Sequence, residues 1–365
     1  VAAVFGPDYD QNGANPSLRL PPPSLLMIDR INEIDPTGGA WGLGIVEGEK
    51  DLHPEHWYFP CHFKDDPVMA GSLMAEGCGQ LLQAYMLYLG LQTHTEDARF
   101  QPIFDLPQVV RCRGQVTPQI GKLVYRMEVK DIGLQPNPYV QVDVDIILDG
   151  RIVVRFVDLG LQLVEKPADD RFRLQAPQQK DVMFDEHDIA TMAKGVAADV
   201  LGPEFDFYDS MPLSRIPNGE LTMISRILDI TGDRFQFKTA SIHAEYDVPA
   251  DAWYFQHNAM PYSILMEIGL QPCGFMSAYL GTTITSPQID FRFRNLDGNG
   301  HLLREVDLRG KTITNHATLL NTSRVDGMII QNFSYQLSVD GEPFYEGSAS
   351  FGHFAPAALA TQVGL

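Results

Sequence analysis

Two stretches of the chain are apolar on every side and too long to be single strands. Ser72 to Leu91 carries no charge apart from Glu76, and Ser263 to Leu280 repeats the pattern around Glu267. A segment apolar all round is an enclosed helix, not one laid on a surface, and the length favours helix over strand. Ser72 is the expected N-cap of the first helix. Pro272 is expected to kink or shorten the second, because proline removes a backbone donor and crowds the preceding turn. Period-2 alternation then predicts four strands after each helix. They are Val109 to Val116, Leu123 to Ile132, Tyr139 to Leu148 and Ile152 to Val164, then Ile289 to Asn295, Thr312 to Ser323, Met328 to Val339 and Pro343 to Phe354. Asp149-Gly150 and Asp340-Gly341 are hairpin turns.

The two patterns are copies of one unit. Arg19-Leu20-Pro21-Pro22-Pro23-Ser24-Leu25-Leu26-Met27-Ile28-Asp29-Arg30-Ile31 returns as Arg215-Ile216-Pro217-Asn218-Gly219-Glu220-Leu221-Thr222-Met223-Ile224-Ser225-Arg226-Ile227, 196 positions later. Trp57-Tyr58-Phe59 and Trp253-Tyr254-Phe255 keep that offset. From Met69 and Met260 onward it becomes 191, which also relates Glu76 to Glu267, Gln80 to Gln271 and the two hairpin turns. The second copy has therefore lost five residues between its Trp and its Met. Such self-similarity decides architecture before any single residue does. One buried helix wrapped by an antiparallel sheet is the hot-dog arrangement. The predicted fold class is α+β, a double hot-dog in which two tandem units form a pseudo-dimer within one chain. Residues 1–18 read as a leader, 19–165 as the first unit and 211–365 as the second. Residues 166–210 read as a Pro-, Gln-, Asp- and Lys-rich linker with one amphipathic helix near Asp188 to Leu201.

Composition narrows the function. A formal charge of -20 over 365 residues argues against nucleic acid, whose phosphates call for Lys and Arg. An acidic diffusing partner would be repelled as well, unless a local basic patch or a tether offsets the mean field. No stretch reaches the roughly 18 apolar residues that a membrane span needs. Val1 to Pro7 has neither the basic region nor the apolar core of a signal peptide, and the absence of an initiator Met suggests a piece of a longer polypeptide. Cys61, Cys78, Cys112 and Cys273 show no metal-type spacing and read as small buried thiols in a reducing cytoplasm.

Chemistry concentrates in one string. Trp57-Tyr58-Phe59-Pro60-Cys61-His62 leads through Phe63-Lys64-Asp65-Asp66-Pro67-Val68-Met69-Ala70 to Gly71, at the mouth of the first buried helix. Glu76 and Gln80 follow at i and i+4, on one face. A carboxyl and an amide in an apolar helix need partners, since unpaired burial costs about 1–3 kcal/mol or more.

The string resembles the motif of the bacterial 3-hydroxyacyl-ACP dehydratases, His-Phe-x-x-Asp/x-Pro-Val-Met-Pro-Gly-x-x-x-x-Asp/Glu-x-x-x-Gln. His62, Phe63, Pro67, Val68, Met69, Gly71, Glu76 and Gln80 fall on it, and Ala70 departs where the family has Pro. The duplication and the Leu-Leu-Met-Ile-Asp-Arg-Ile string also resemble the dehydratase domains of polyunsaturated fatty acid synthases. The resemblance implies a lyase of lipid metabolism that needs no metal or redox cofactor, acting on an acyl thioester carried by an acyl carrier protein, with the carrier tethered in the same polypeptide or complex. It implies that the His of one unit works with the acid of the other. Site one is then His62 and Gly71 with Glu267. Neutral His62 removes the C2 proton, the Gly71 amide at the positive helix end receives the enolate oxygen, and Glu267, its pKa raised in an apolar tunnel, protonates the departing 3-hydroxyl. Gln271 and Gln80 orient the carboxyls. Site two is His257 with Glu76, expected to be degenerate: Asn258 aligns with His62, the Pro-Val loop is missing and Tyr262 replaces the glycine.

Glu at both acid positions leans toward simple dehydration, although some family members also shift the double bond to a cis-3 product. A hot-dog hydratase or thioesterase, or an acyl-chain-binding scaffold without turnover, are the competing functions. The Arg171-Phe172-Arg173 and Arg292-Phe293-Arg294 clusters fit either carrier docking or solvated sheet positions.

Overall fold

The structure is a computed structural model that describes residues 2–166, 181–210, 215–255, 259–284, 286–325, 327–362 and 364–365. Helix α1 runs from Gly71 to Tyr88 and is buried along nearly its whole length, as its uninterrupted apolar run requires. Strands β1 (Arg30–Asp35), β2 (Ile45–Leu52), β3 (Ala98–Pro102), β4 (Gln108–Cys112), β5 (Gly121–Gly133), β6 (Tyr139–Leu148) and β7 (Arg151–Glu165) surround it. Two short helices, α2 (Glu186–Lys194) and α3 (Ala197–Leu201), follow. The second unit comprises β8 (Arg226–Thr231), β9 (Ala240–Asp247), α4 (Tyr262–Tyr279), β10 (Arg292–Leu302), β11 (Thr312–Val325), β12 (Met328–Val339) and β13 (Glu342–Phe354).

The strands form one antiparallel sheet in the order β1-β2-β5-β6-β7-β4-β10-β13-β12-β11-β9-β8, with β3 pairing to β7. The order reads the same from either edge, so the architecture is a double hot-dog whose units meet where Gln108 to Arg111 pair with Gly300 to Asp297. The strict burial alternation of β6 is the pattern of a sheet with one face on a core and one in water. The repeated tryptophans meet edge to face across the seam, Trp57 and Trp253 with ring centroids 5.3 Å apart.

Alternation missed five strands. In β2 the inward positions are Val46, Gly48, Lys50 and Leu52, so a glycine and a lysine break the apolar signal. Lys50 is tolerated there because its ammonium donates to the Leu26 carbonyl at 3.1 Å and pairs with Asp29 at 2.8 Å. In β9 the buried Glu245 does the same, held by Arg226 at 2.7 Å. The single helix expected near Asp188 to Leu201 is two, α2 and α3, separated at Gly195.

Pro272 neither interrupts nor shortens α4, which has the same 18 residues as α1. Proline at this position leaves the carbonyl four residues back without its helical donor. The buried Asn315 of β11 supplies one, donating Nδ2 to the Ile268 carbonyl at 2.7 Å and to Gly269 at 3.1 Å. Asn315→Ala leaves that carbonyl unsatisfied and is expected to cost about 1–3 kcal/mol, read as a lowered urea midpoint with an unchanged slope.

Candidate active site

His62 is fixed by the chain on both sides of it. Tyr58 and Phe59 are buried in the short helix Tyr58–Cys61, and the His62 amide closes that turn on the Tyr58 carbonyl at 3.0 Å. The chain then doubles back through Asp65, which has a left-handed φ of 65°. Val68 N–H donates to the His62 carbonyl at 2.7 Å, and Met69 N–H to the Val116 carbonyl at 2.8 Å. This delivers Gly71 to the start of α1.

The imidazole Nδ1 lies 3.1 Å from the Val68 carbonyl oxygen. A carbonyl only accepts, so the neutral ring carries its proton on Nδ1 and leaves Nε2 as a base. Burial pulls the His62 pKa below its ordinary value; the Glu267 charge opposes the shift and Arg294 adds to it. The ring is therefore neutral near pH 7.

Helix α1 begins without a side-chain cap, so Ala70 leaves its first-turn N–H groups uncovered. A side chain at Gly71 would meet no atom within 4 Å, which is open space where a ligand oxygen can approach the helix end. Ser72 is not the cap. It is the second helical residue, and its hydroxyl donates to Glu267 Oε1 of the opposite helix.

The carboxyls are exchanged in the same way on both sides. Ser263 Oγ of α4 donates to Glu76 Oε2 of α1 at 2.7 Å. Each glutamate also accepts from the glutamine one turn on: Gln80 Nε2 to Glu76 Oε1 at 3.0 Å and Gln271 Nε2 to Glu267 Oε2 at 2.7 Å. The repeated Leu-x-Met string holds those amides. Gln80 accepts from Met27 N at 2.8 Å and donates to Leu25 O at 2.8 Å. Gln271 accepts from Met223 N and donates to Leu221 O, both at 2.7 Å. Main-chain clamps thus fix the amide orientation, and the amides fix the acids. Burial raises the Glu76 pKa, against the pull of its Ser263 and Gln80 bonds.

A cavity of about 90 Å³ brings His62, Gly71, Ser72, Glu267 and Gln271 together. Phe63, Met74, Leu270 and Phe351 supply apolar wall, and Arg215 and Arg294 also border it. A second cavity, about 60 Å³, is lined by Glu76, Pro261 and Tyr262. Tyr262 starts α4 where Gly71 starts α1, and its hydroxyl accepts from Tyr345 at 3.2 Å. His257, expected to serve this second site, lies outside the described residues, as does Arg171-Phe172-Arg173. Among the described residues no cluster of three or more His, Cys, Asp or Glu is arranged to hold a metal ion, and no helix is long and apolar enough to cross a membrane.

Sequence reasoning missed three parts of this site. Ser72 and Ser263 act across helices, and their one visible signal is that both keep the offset of 191. The Leu-x-Met clamps were visible as a repeat without a purpose. Arg292 and Arg294 are already paired within the structure: Arg294 forks onto Asp66 at 2.6 and 2.9 Å, and Arg292 pairs with Asp290 at 2.8 Å.

The profile of the FabA-like domain matches residues 20–157. The chain is 33% identical to a polyunsaturated fatty acid synthase subunit of Thraustochytrium sp., over 493 aligned positions that take in all of this chain and 33% of that protein. It thus spans about a third of the length of that curated relative. Among solved structures it is similar to a putative oleoyl thioesterase from Lactobacillus plantarum, with TM-score 0.45, 13% identity and coverage of 86% of this chain and 97% of that one. It is also similar to the bifunctional dehydratase-cyclase domain of ambruticin biosynthesis, with TM-score 0.40, 10% identity and coverage of 92% and 99%. The chain is a double hot-dog protein with one buried helix in each unit, and residues 20–157 are similar to the FabA-like domain.

Proposed function

We propose that this chain dehydrates 3-hydroxyacyl thioesters to 2-enoyl thioesters at the cavity shared by His62, Gly71 and Glu267. The observation that carries the reading is that one cavity holds a neutral imidazole, an uncapped helix end and a buried carboxyl supplied by the opposite unit. His62 Nε2 takes a proton from C2. Negative charge passes to the thioester oxygen, which the Gly71 N–H at the helix end stabilises. The C3–O bond breaks as Glu267 protonates the departing hydroxyl, the C2–C3 double bond forms and water leaves. Ser72 can donate or accept as its hydroxyl rotates, so Glu267 keeps that partner with or without its proton. The proton on His62 then returns to the carboxyl through solvent.

The acyl group is proposed to arrive on a carrier tethered to the same assembly. That fits both a protein of charge -20, which would repel an acidic diffusing partner, and a relative that belongs to a fatty acid synthase. The reaction is testable in reverse, as hydration of crotonyl thioester to the 3-hydroxybutyryl thioester. Retained binding of acyl thioester with no hydration at any pH between 6 and 9 would sink the reading.

The cavity at Glu76 is proposed to be silent, because Tyr262 occupies the place where the front helix has open space at Gly71. Glu76→Gln should then leave hydration within about twofold of the parent. A loss as large as that of Glu267→Gln would show that both cavities turn over.

A further inference from the structure

The loop from His62 to Met69 is braced from outside its own unit. Arg294 of β10 sets both terminal nitrogens on the Asp66 carboxylate, Nη1 to Oδ2 at 2.6 Å and Nη2 to Oδ1 at 2.9 Å. Its Nε donates to Gln115 Oε1 at 2.9 Å, and its side chain is only 10% exposed. Arg292 adds a bond from Nη1 to the Asp65 carbonyl at 3.2 Å. Asp66 in turn closes the loop through reciprocal backbone bonds with Phe63, each 3.3 Å. Phe63 follows His62 directly, and the two rings lie 3.8 Å apart. A forked guanidinium–carboxylate pair mostly out of water constrains both distance and plane.

We infer that Arg294 is a positioning residue for His62: through Asp66, the rear unit sets where the front unit's imidazole sits and which charge faces it. The inference rests on the dehydratase reading above. The charged groups around His62 are Glu267 from α4, Arg294 from β10, Arg215 on the cavity wall and Asp66 within its own loop. Glu267 favours the protonated ring and Arg294 disfavours it. His62 acts as a base in dehydration only when neutral, so the dehydration rate should rise with pH through the His62 midpoint, and in hydration the same imidazole hands that proton back to C2.

The test compares the full chain with Arg294→Met, Asp66→Asn, the double variant and Arg294→Lys. Crotonyl-thioester kinetics across pH are read beside NMR titration of the His62 ring. Each single variant should lower kcat about tenfold or more, with KM within about twofold. The double variant should be no worse than the poorer single, since the pair acts as a unit. The His62 midpoint should move up in Arg294→Met, where a cation is lost, and down in Asp66→Asn, where the cation is left uncompensated. Arg294→Lys should keep the parent's midpoint yet lose rate, because the charge stays and the fork goes; it also carries the test if the Met variant folds poorly. A merely structural role predicts rate losses without opposed midpoint shifts. Parent-like kcat and midpoint in Arg294→Met would overturn the inference. If the parent itself shows no hydration, the dehydratase reading falls, and the opposed NMR shifts alone decide whether the brace exists.

Discussion

His62→Ala is expected to lower kcat for crotonyl-thioester hydration by about 10³-fold, within the 10²–10⁴ that a positioned general acid or base supplies. The loss corresponds to about 4 kcal/mol of transition-state stabilisation. Folding should be little affected. The ring makes its hydrogen bond to a carbonyl at the end of its own loop, while Val68 N–H and Met69 N–H anchor that loop through backbone. KM should change little, because the imidazole meets the C2 proton chiefly in the transition state. A variant that keeps even a tenth of parental kcat would remove His62 from the chemistry.

Glu267→Gln should be comparably damaging, about 10²–10³-fold in kcat, for a different reason. The substitution keeps the shape of the side chain and an oxygen to accept from Gln271, but it removes the carboxyl proposed to exchange a proton with the C3 oxygen, taking it from water in hydration and giving it back in dehydration. Glutamine at 267 also still gives Ser72 a polar partner, so the cavity should persist and thioester should still bind. That separates loss of the acid from loss of the pocket. The comparison is sharpest against Glu76→Gln, which alters the equivalent buried group beside the other cavity. Equal losses in both would mean that the assignment of one working cavity is wrong.

The sequence made a good part of this legible, because the informative residues were close together in it. His62, Gly71, Glu76 and Gln80 lie within one short string, and a buried carboxyl on an apolar helix stands out. The duplication supplied Glu267 and Gln271 as their counterparts, and period-2 runs marked β5, β6, β7, β11, β12 and β13 with nearly their observed ends. By contrast, β4 stops at Cys112 and not at Val116, and β10 runs from Arg292 to Leu302 and not from Ile289 to Asn295. What stayed hidden depends on contacts between distant segments. Ser72 read as a helix cap because local rules reward a serine there, but its partner lies on α4, 195 residues away. Pro272 read as a helix disruptor because Asn315, which repairs the damage, is on a strand of the same unit far along the chain. Lys50 disguised β2 because its charge is neutralised by Asp29, again outside the local window. Arg294 could be read only as a surface cation until Asp66 was placed against it.

The crossing of the two acids between helices, Ser72 to Glu267 and Ser263 to Glu76, has a genetic corollary. In an assembly of two identical chains every substitution is made twice, so neither catalytic centre can change without its twin. Joining both units in one polypeptide removes that constraint. On the proposed assignment, one centre is then free to accumulate changes such as the bulky aromatic at 262 without altering the other. The price is mutual dependence, since each carboxyl still needs a hydroxyl from the opposite helix.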